Sequence, residues 1–479
     1  MDLERYRSFI DDWSAFSTAA QRPEPTVFRA REGRIAEAAL LDRLRARGFT
    51  TQSVAGLRGF HQVISGPGRL SATAEHWLGL LYVQQASTGV AAPALGPLPG
   101  EHVLDLCSAP GGKTLHMAEL MNDSGCIVAS ELSEPRIRGL LGNVYRLGHS
   151  NILVTAGDGR EFPTGATFDR VLVDAPCSGE GTLRRGGGQA PNQSASFLGY
   201  VTQAQRELLE RAIEVTRPGG VILYVTCTFA PEENEAVVSD ALTRLPVELE
   251  PLHLPVPHAR GLTEFEGVRF DPRLEGAARI YPHHLDSGGL FLARLRKLDD
   301  GKDLSFREPV PLVFPGDERA QDEAEETLAM ALEELRTRYG AGSGLDHLKW
   351  TFRGGRAWFH TLDAWPLPAW EQGRWRAISA GIRGIDFDTR GRPRPSNDLL
   401  RLHGDRVAGR VVDVDEDEML ALLAKKTLST SEEERGPISI RHAGDVVGRG
   451  AVTVDGLKSE IPKARAADYL RAFSGAAGS

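Results

Sequence analysis

The 479-residue chain has only four cysteines, at positions 107, 126, 177 and 227, and none of them falls in a paired CxxC spacing. That count and spacing exclude a disulfide scaffold and a zinc ribbon, and point to a reducing, cytosolic environment with no metal site. Long apolar runs are missing too, since no stretch approaches the roughly 18 to 20 apolar residues of a membrane helix. Met1-Asp2-Leu3-Glu4-Arg5 is not a basic region leading into an apolar one, so a soluble, unprocessed, cytoplasmic chain with no membrane partner is expected. Nor is there an excess of positive charge. Lysine plus arginine number 56 against 65 aspartate plus glutamate, a formal charge of −9, which argues against a broad polyanion-binding surface. The imbalance is local, because residues 299–337 hold twelve acidic and four basic side chains. The remainder is close to neutral and leaves room for a basic groove.

With 41% hydrophobic residues, the chain can bury a sizeable core, and its length suggests two to four domains. Residues 26–63 read as a basic module in which Arg29, Arg31, Arg34, Arg43, Arg45 and Arg47 surround a helix patterned on Ala36, Leu40 and Leu44. Those arginines are either a solvated helix face or a nucleic-acid contact. From about residue 100 short β-branched runs alternate with helical periods. Strands are expected over His102 to Leu106, Cys126 to Glu131, Ile152 to Thr155, Arg170 to Asp174 and Val221 to Thr226, with helices starting near Gly112, Pro135 and Thr202. This spacing predicts βαβ units and a parallel sheet covered on both faces. A strand around Gly289 to Leu295 is expected to close the sheet as an antiparallel edge. The expected domains are 1–98, an N-terminal module and linker; 99–298, the catalytic domain; 299–344, an acidic linker with a helix over Asp322 to Arg338; and 345–479, a β-rich region. Trp350, Trp358, Trp365, Trp370 and Trp375 in that last region read better as core than as a stacking platform. No internal repeat is evident.

The run Val103-Leu104-Asp105-Leu106-Cys107-Ser108-Ala109-Pro110-Gly111-Gly112-Lys113-Thr114 is a buried strand, then a small-residue turn that opens a helix. Such a turn lets backbone N–H groups approach a ligand. Gly112-Lys113-Thr114 is not a phosphate loop, because Cys107 stands where that pattern needs glycine. Glu131 ends the second strand, where an acid can accept from two ribose hydroxyls, and Asp158 follows the third, within reach of an adenine amino group. Each alone could be an ordinary turn acid. Three acids at successive strand ends beside this loop favour a nucleoside cofactor.

Asp174-Ala175-Pro176-Cys177-Ser178-Gly179 closes the fourth strand and Thr226-Cys227-Thr228 the fifth, so both cysteines should lie on the carboxyl edge of the sheet beside the cofactor. One strand-end cysteine is usually an inert small hydrophobe. Two of them suit methylation of cytosine at C5, which needs a thiolate to add to C6 before C5 becomes nucleophilic. Asp174, protonated or sharing a proton, could bond N3 while accepting from the exocyclic amine. The thiol needs a positive neighbour to ionise, and Lys113 is the candidate.

These motifs resemble the NOL/NOP/Sun group of RNA cytosine-5 methyltransferases. The resemblance rests on Asp105 to Thr114, on Asp174 to Gly181, and on Thr226-Cys227-Thr228 followed by Pro231-Glu232-Glu233-Asn234-Glu235. It is supported by Tyr82-Val83-Gln84-Gln85-Ala86-Ser87 and by Arg279-Ile280-Tyr281-Pro282-His283, and extends over about residues 20–298. It implies a Rossmann-like α/β core, a mostly parallel seven-stranded sheet, that uses S-adenosyl-L-methionine. A small α/β N-terminal RNA-binding module and a β-rich C-terminal RNA-binding module are expected to flank it. It also implies Cys227 as nucleophile and Cys177 as the residue assisting product release. Cofactor contacts are implied for Cys107, Ser108, Ala109, Pro110, Gly111, Gly112, Lys113, Glu131, Asp158 and Asp174, with Arg136 as a further candidate. Glu131 stands where the family more often has aspartate.

Gly448-Arg449-Gly450, Gly456-Leu457-Lys458-Ser459 and Ile461-Pro462-Lys463 are similar to the bacterial RsmF-like branch. A monomer acting on small-subunit (16S) ribosomal RNA, naked or in the subunit, is therefore expected, with transfer RNA as the alternative substrate. DNA cytosine-5 methylation would instead make Cys177 the attacker, and a non-catalytic RNA-binding factor would use neither cysteine.

Overall fold

The computed structural model of the chain describes residues 3–164, 167–184, 194–301, 309–340, 345–365, 375–406 and 409–474. The five expected core strands form as His102–Asp105, Cys126–Glu131, Ile152–Ala156, Phe168–Asp174 and Thr216–Thr226, here numbered one to five. They pair in parallel in the order 5-4-1-2-3. Their apolar runs split by alternation onto two faces. Leu104, Val128, Leu153, Val171, Val173, Ile222 and Tyr224 pack on one side, and Val103, Ile127, Ala129, Val154, Leu172, Leu223 and Val225 on the other. Because helices cover both faces, neither set can be polar, and the strands read as continuous hydrophobic runs. Chain order reverses between strands one and four, and the crevice at their carboxyl ends is where such sheets take ligands.

Antiparallel strands enlarge the sheet to ten, not seven. Leu290–Lys297 lies against strand five but is not an edge, because it also pairs with Ala278–Ile280 and Val247–Glu250. On the opposite side Arg376–Ala380 pairs with strand three. The region after 345 therefore contributes a strand to the catalytic sheet, and a boundary at 345 does not divide the packing. Hydrophobic patterning could not show this, since Arg376–Ala380 is short and its partner is more than 200 residues away. The third helix starts at Ala195, seven residues before the expected Thr202, where Ser194 caps it by accepting from Phe197 N.

The N-terminal module is a four-stranded antiparallel sheet with the helix Glu37–Ala46. The C-terminal part holds two further four-stranded sheets, and the acidic segment forms the helix Gln321–Tyr339. Trp350, Trp358, Trp365 and Trp375 are buried, as the core reading expects; Trp370 lies outside the described residues. The two terminal modules share one hydrophobic cluster, in which Phe28, Leu40 and Leu44 meet Met419, Leu422, Ile438 and Val447.

The basic face expected around residues 26–63 is largely consumed inside the molecule. Arg29 and Arg31 are buried against Glu119 and Asp123. Arg34 donates to the carbonyl oxygens of Arg401 and Leu402, Arg43 pairs with Asp445 at 2.6 Å and Arg47 with Glu75 at 2.7 Å. Of this set only Arg45 is mainly exposed, pairing locally with Asp42. Sequence alone cannot separate an arginine facing water from one facing a distant carboxylate. Arg449, in one of the C-terminal motifs, is likewise committed to Glu460 and the Pro395 carbonyl.

Arg401 joins three parts of the chain. Buried at 3% exposure, it donates to Leu78 O at 2.7 Å, Arg146 O at 2.9 Å and Tyr145 O at 2.6 Å. Replacing it with methionine leaves three carbonyls without that donor, at about 1 to 3 kcal/mol for each buried group. Arg401→Met is expected to lower the melting temperature by several degrees and to expose the C-terminal region to limited proteolysis; a wild-type melt and digestion pattern would refute this joint.

Candidate active site

The cofactor turn is tied down by its own short polar side chains. Thr114 Oγ1 donates to Asp105 Oδ2 at 2.7 Å, joining the start of the helix Gly112–Leu120 to the end of strand one. Burial pushes Asp105 up to about 7. Both Ser108 N and Ser108 Oγ donate to Ser130 O at 2.9 Å, which lays the turn along strand two. Gly111 has φ of +107°, a conformation open to glycine. A side chain at Gly111 would press on Leu140 and Leu115, so the backbone of the turn stays bare at that position.

Glu131 is buried at the end of strand two, accepting from Ser133 N at 2.9 Å and Ala109 N at 3.3 Å. Arg136 bridges it to the Ala109 carbonyl, at 3.4 Å from Glu131 Oε1 and 2.5 Å from Ala109 O. Arg136 thus acts on the expected site by holding the turn and the acid together. Asp158 follows strand three, and its carboxylate is occupied by Arg160, with Nη2 at 2.6 Å. That pairing holds it below the usual carboxylate range. A bare small-residue turn with a fixed carboxylate one strand away fits a nucleoside with a ribose diol. Glu131 suits that diol better than Asp158 suits a base, because Asp158 must share its oxygens with Arg160.

The second constellation closes around two thiols. Cys177 Sγ and Cys227 Sγ lie 3.2 Å apart, both cysteines half-buried and neither in a disulfide. The adjacent turns that carry them are stapled by Ala175 N to Val225 O at 2.9 Å, Gly181 N to Cys227 O at 2.8 Å and the Ser178 and Thr228 hydroxyls at 2.8 Å. A Cβ at Gly181 would stand 2.6 Å from Gly289 O and 2.9 Å from Cys227 O, so only glycine allows this approach. Lys113 Nζ donates to Asp174 Oδ2 at 2.6 Å. Burial works against the Lys113 charge, but Asp174, Cys227 and Asp105 outweigh it and raise the lysine pKa, so it stays an ammonium.

The electrostatics separate the two sulfurs. Its hydrogen bond to Cys227, together with burial, pushes the Cys177 thiol well above its ordinary range, so it remains protonated at neutral pH. Cys227 is among the negative neighbours that raise the Lys113 pKa, so the ammonium lies within electrostatic reach of its sulfur. Burial beside Asp105 raises Cys107 as well, which suits a turn residue and not a nucleophile.

The structure thus brings Lys113, Asp174, Cys177 and Cys227 together, with the 107–113 turn and Glu131 beside them and Asp158 on the neighbouring strand end. Several supporting residues carried no assigned role in the sequence. Glu233 accepts from Ser178 N and Gln205 Nε2, both at 2.9 Å, and Asn234 takes the Thr226 hydroxyl while donating to Thr228 O at 3.0 Å. Glu235 forms a fully buried pair with Arg279. Their signal was the Pro231 to Glu235 run, which has more polar groups than a strand-to-helix turn needs. Glu180 also belongs here, accepting from Thr228 Oγ1 at 3.0 Å and Phe229 N at 3.2 Å.

A family model described as 16S rRNA methyltransferase RsmB/F matches residues 92–296. The chain is similar to the 28S rRNA (cytosine-C(5))-methyltransferase of Mus musculus, 38% identical over 48% of this chain and 30% of that protein. It is similar to the ribosomal RNA small subunit methyltransferase F of Erwinia tasmaniensis, 40% identical over 48% of this chain and 47% of that one. With the tRNA (cytosine(49)-C(5))-methyltransferase of Pyrococcus abyssi it shares 37% identity over 47% of this chain and 72% of that protein. Among solved structures it is similar to a methyltransferase homolog protein from Pyrococcus horikoshii, with 34% identity and a TM-score of 0.56, covering 62% of this chain and 94% of that one. The chain spans about a third to a half of the length of the ribosomal relatives it matches. The segment matched by the family model carries all five parallel strands and both cysteine turns, and the chain belongs to the NOL1/NOP2/Sun, or RsmB/F, family of S-adenosylmethionine-dependent RNA cytosine-C5 methyltransferases.

Proposed function

We propose that this protein methylates cytosine at C5 in RNA, with Cys227 as the attacking residue and small-subunit ribosomal RNA as the substrate. The observation that carries the chemistry is the pair of thiols 3.2 Å apart, one beside an ammonium and the other held as a thiol. Small-subunit RNA is supported by the description of the matching family model and by the F-type bacterial relatives.

Glu131 and the 107–113 turn would hold S-adenosylmethionine, with Asp158 and Arg136 at their margins. When bound, the cofactor supplies an electrophilic methyl carbon. The chain supplies the rest. The Cys227 thiolate adds its electron pair to C6 of cytosine, and Asp174, held as a carboxylate by Lys113, accepts from the exocyclic N4 amine. Addition makes C5 electron-rich and turns the Cys227 sulfur into a neutral thioether. Once the Cys227 sulfur is a thioether, Cys177 no longer shares its proton with that sulfur; it can lose the proton to solvent, and the resulting thiolate takes the C5 proton after methylation. Loss of that proton returns the C6–S electron pair to Cys227 and releases the base. The target must be unpaired or flipped out, since C5 and C6 cannot be approached from both faces inside a helix.

The DNA-type alternative, in which Cys177 would attack, leaves Cys227 without a role; the second cysteine turn, with Glu232-Glu233-Asn234 after it, supports the RNA reading. Transfer RNA is the second reading, favoured by the Pyrococcus abyssi relative, of which the match covers most of the length.

Labelled S-adenosylmethionine should transfer methyl groups into deproteinised small-subunit RNA or intact small subunits. Cys227→Ala is expected to abolish transfer, and Cys177→Ala to leave protein covalently attached to RNA in a denaturing gel. Label confined to transfer RNA would move the substrate, and label only in DNA, lost with Cys177→Ala, would overturn the assignment. Removing the ammonium should also shift the pH dependence. Lys113→Met is expected to move the rising limb of the rate upward by about one to two pH units, leaving a larger defect at pH 6.5 than at pH 9; parallel profiles would show that Lys113 does not set the Cys227 charge.

A further inference from the structure

Residues 3–24 lie across the loops of the active site. Trp13–Ala20 is a short helix, and its Phe16 packs on Phe229 and Tyr281 with ring centroids 5.5 and 6.2 Å away. Arg5 pairs with Glu232 at 2.6 Å. Glu24 accepts from Gly288 N at 3.0 Å, and Arg184 donates to Arg22 O at 3.0 Å. The segment thus touches the turn after Cys177, the turn after Cys227 and the loop before Leu290–Lys297. Asp11 meets His283 Nε2 at 3.1 Å and His284 Nε2 at 2.9 Å. Those three residues have the types of a metal site, but His284 Nδ1 accepts from Tyr281 N at 3.2 Å. In a neutral ring the proton then sits on Nε2, which donates to Asp11 and leaves no lone pair there for a metal.

The contact nearest the chemistry is Tyr6, fully buried, whose hydroxyl lies 2.9 Å from each oxygen of Glu180. Glu180, itself buried, accepts from the hydroxyl of Thr228 and the amide of Phe229, the two residues after Cys227. The Thr228 hydroxyl in turn bonds Ser178, the residue after Cys177. One carboxylate therefore stands at the fork of both cysteine turns, and one phenol from the N-terminal segment sets its orientation. Burial and the Glu180 charge push the Tyr6 phenol well above its ordinary range, so it remains a donor.

We propose that Tyr6 and Glu180 are positioning residues: the N-terminal segment, through the Tyr6–Glu180–Thr228 chain, holds the Cys227 turn where its sulfur faces Lys113 and the target base. This rests on Cys227 being the attacking residue. Turn placement decides whether the sulfur feels the ammonium, so a loosened turn changes the acidity of Cys227 as well as its reach.

The experiment measures the alkylation rate of Cys227 by iodoacetamide across pH, by peptide mass spectrometry, in wild type, Tyr6→Phe and Glu180→Gln. Single-turnover methyl transfer is followed in parallel. Expected are a higher pH midpoint for Cys227 alkylation in both variants and a loss of about tenfold in transfer rate, the scale of one charge-assisted hydrogen bond. The KM for S-adenosylmethionine should stay unchanged. An unchanged pH midpoint in both variants overturns the proposal, whatever happens to the melting temperature. Should Tyr6→Phe not fold, Glu180→Gln decides alone. Alkylation needs no RNA, so a wild type that labels no nucleic acid defeats the functional reading and still leaves the positioning role to be decided.

Discussion

Two thiols 3.2 Å apart resist both carrying charge, because like charges at that separation repel strongly. The site must therefore be asymmetric, and much of the surrounding structure serves that asymmetry. Lys113 stands on the side of Cys227, while burial and the neighbouring sulfur keep Cys177 protonated. Holding the sulfurs this close requires two strand-end turns to be fused, which explains the density of short-range bonds between residues 175–181 and 225–234. Gly181 belongs to the same constraint, since any side chain there would drive the turns apart.

The asymmetry also orders the chemistry in time. Each sulfur influences the state of the other, so a change at one alters what the other can do. Asp174 is similarly shared, fixing Lys113 on one side and facing the crevice on the other. Such coupling makes the effects of these residues non-additive.

Around this centre the chain is less modular than its length suggests. A strand from beyond residue 375 extends the catalytic sheet, the two terminal modules share a core, and Arg401 ties carbonyls of the N-terminal and catalytic parts to the C-terminal one. Most of the arginines near the N-terminus are spent on these joints.

The parallel core was legible in the sequence, because strands buried on both faces must be apolar throughout and because βαβ spacing allows few topologies. The cofactor turn and the cysteine turns were legible for a related reason: small residues, an acid at a strand end and a proline-held cysteine leave local marks within a few positions. What sequence alone could not settle was everything set by partners far away along the chain. It could not show that Arg29 and Arg31 face buried acids, that residues 376–380 join the catalytic sheet, or that Tyr6 reaches Glu180 across 174 positions. Local pattern records the environment of an element's faces, and it determined the fold class and the positions of the two cysteine turns. How close the two sulfurs come depends on distances between turns, and only the tertiary structure fixes those.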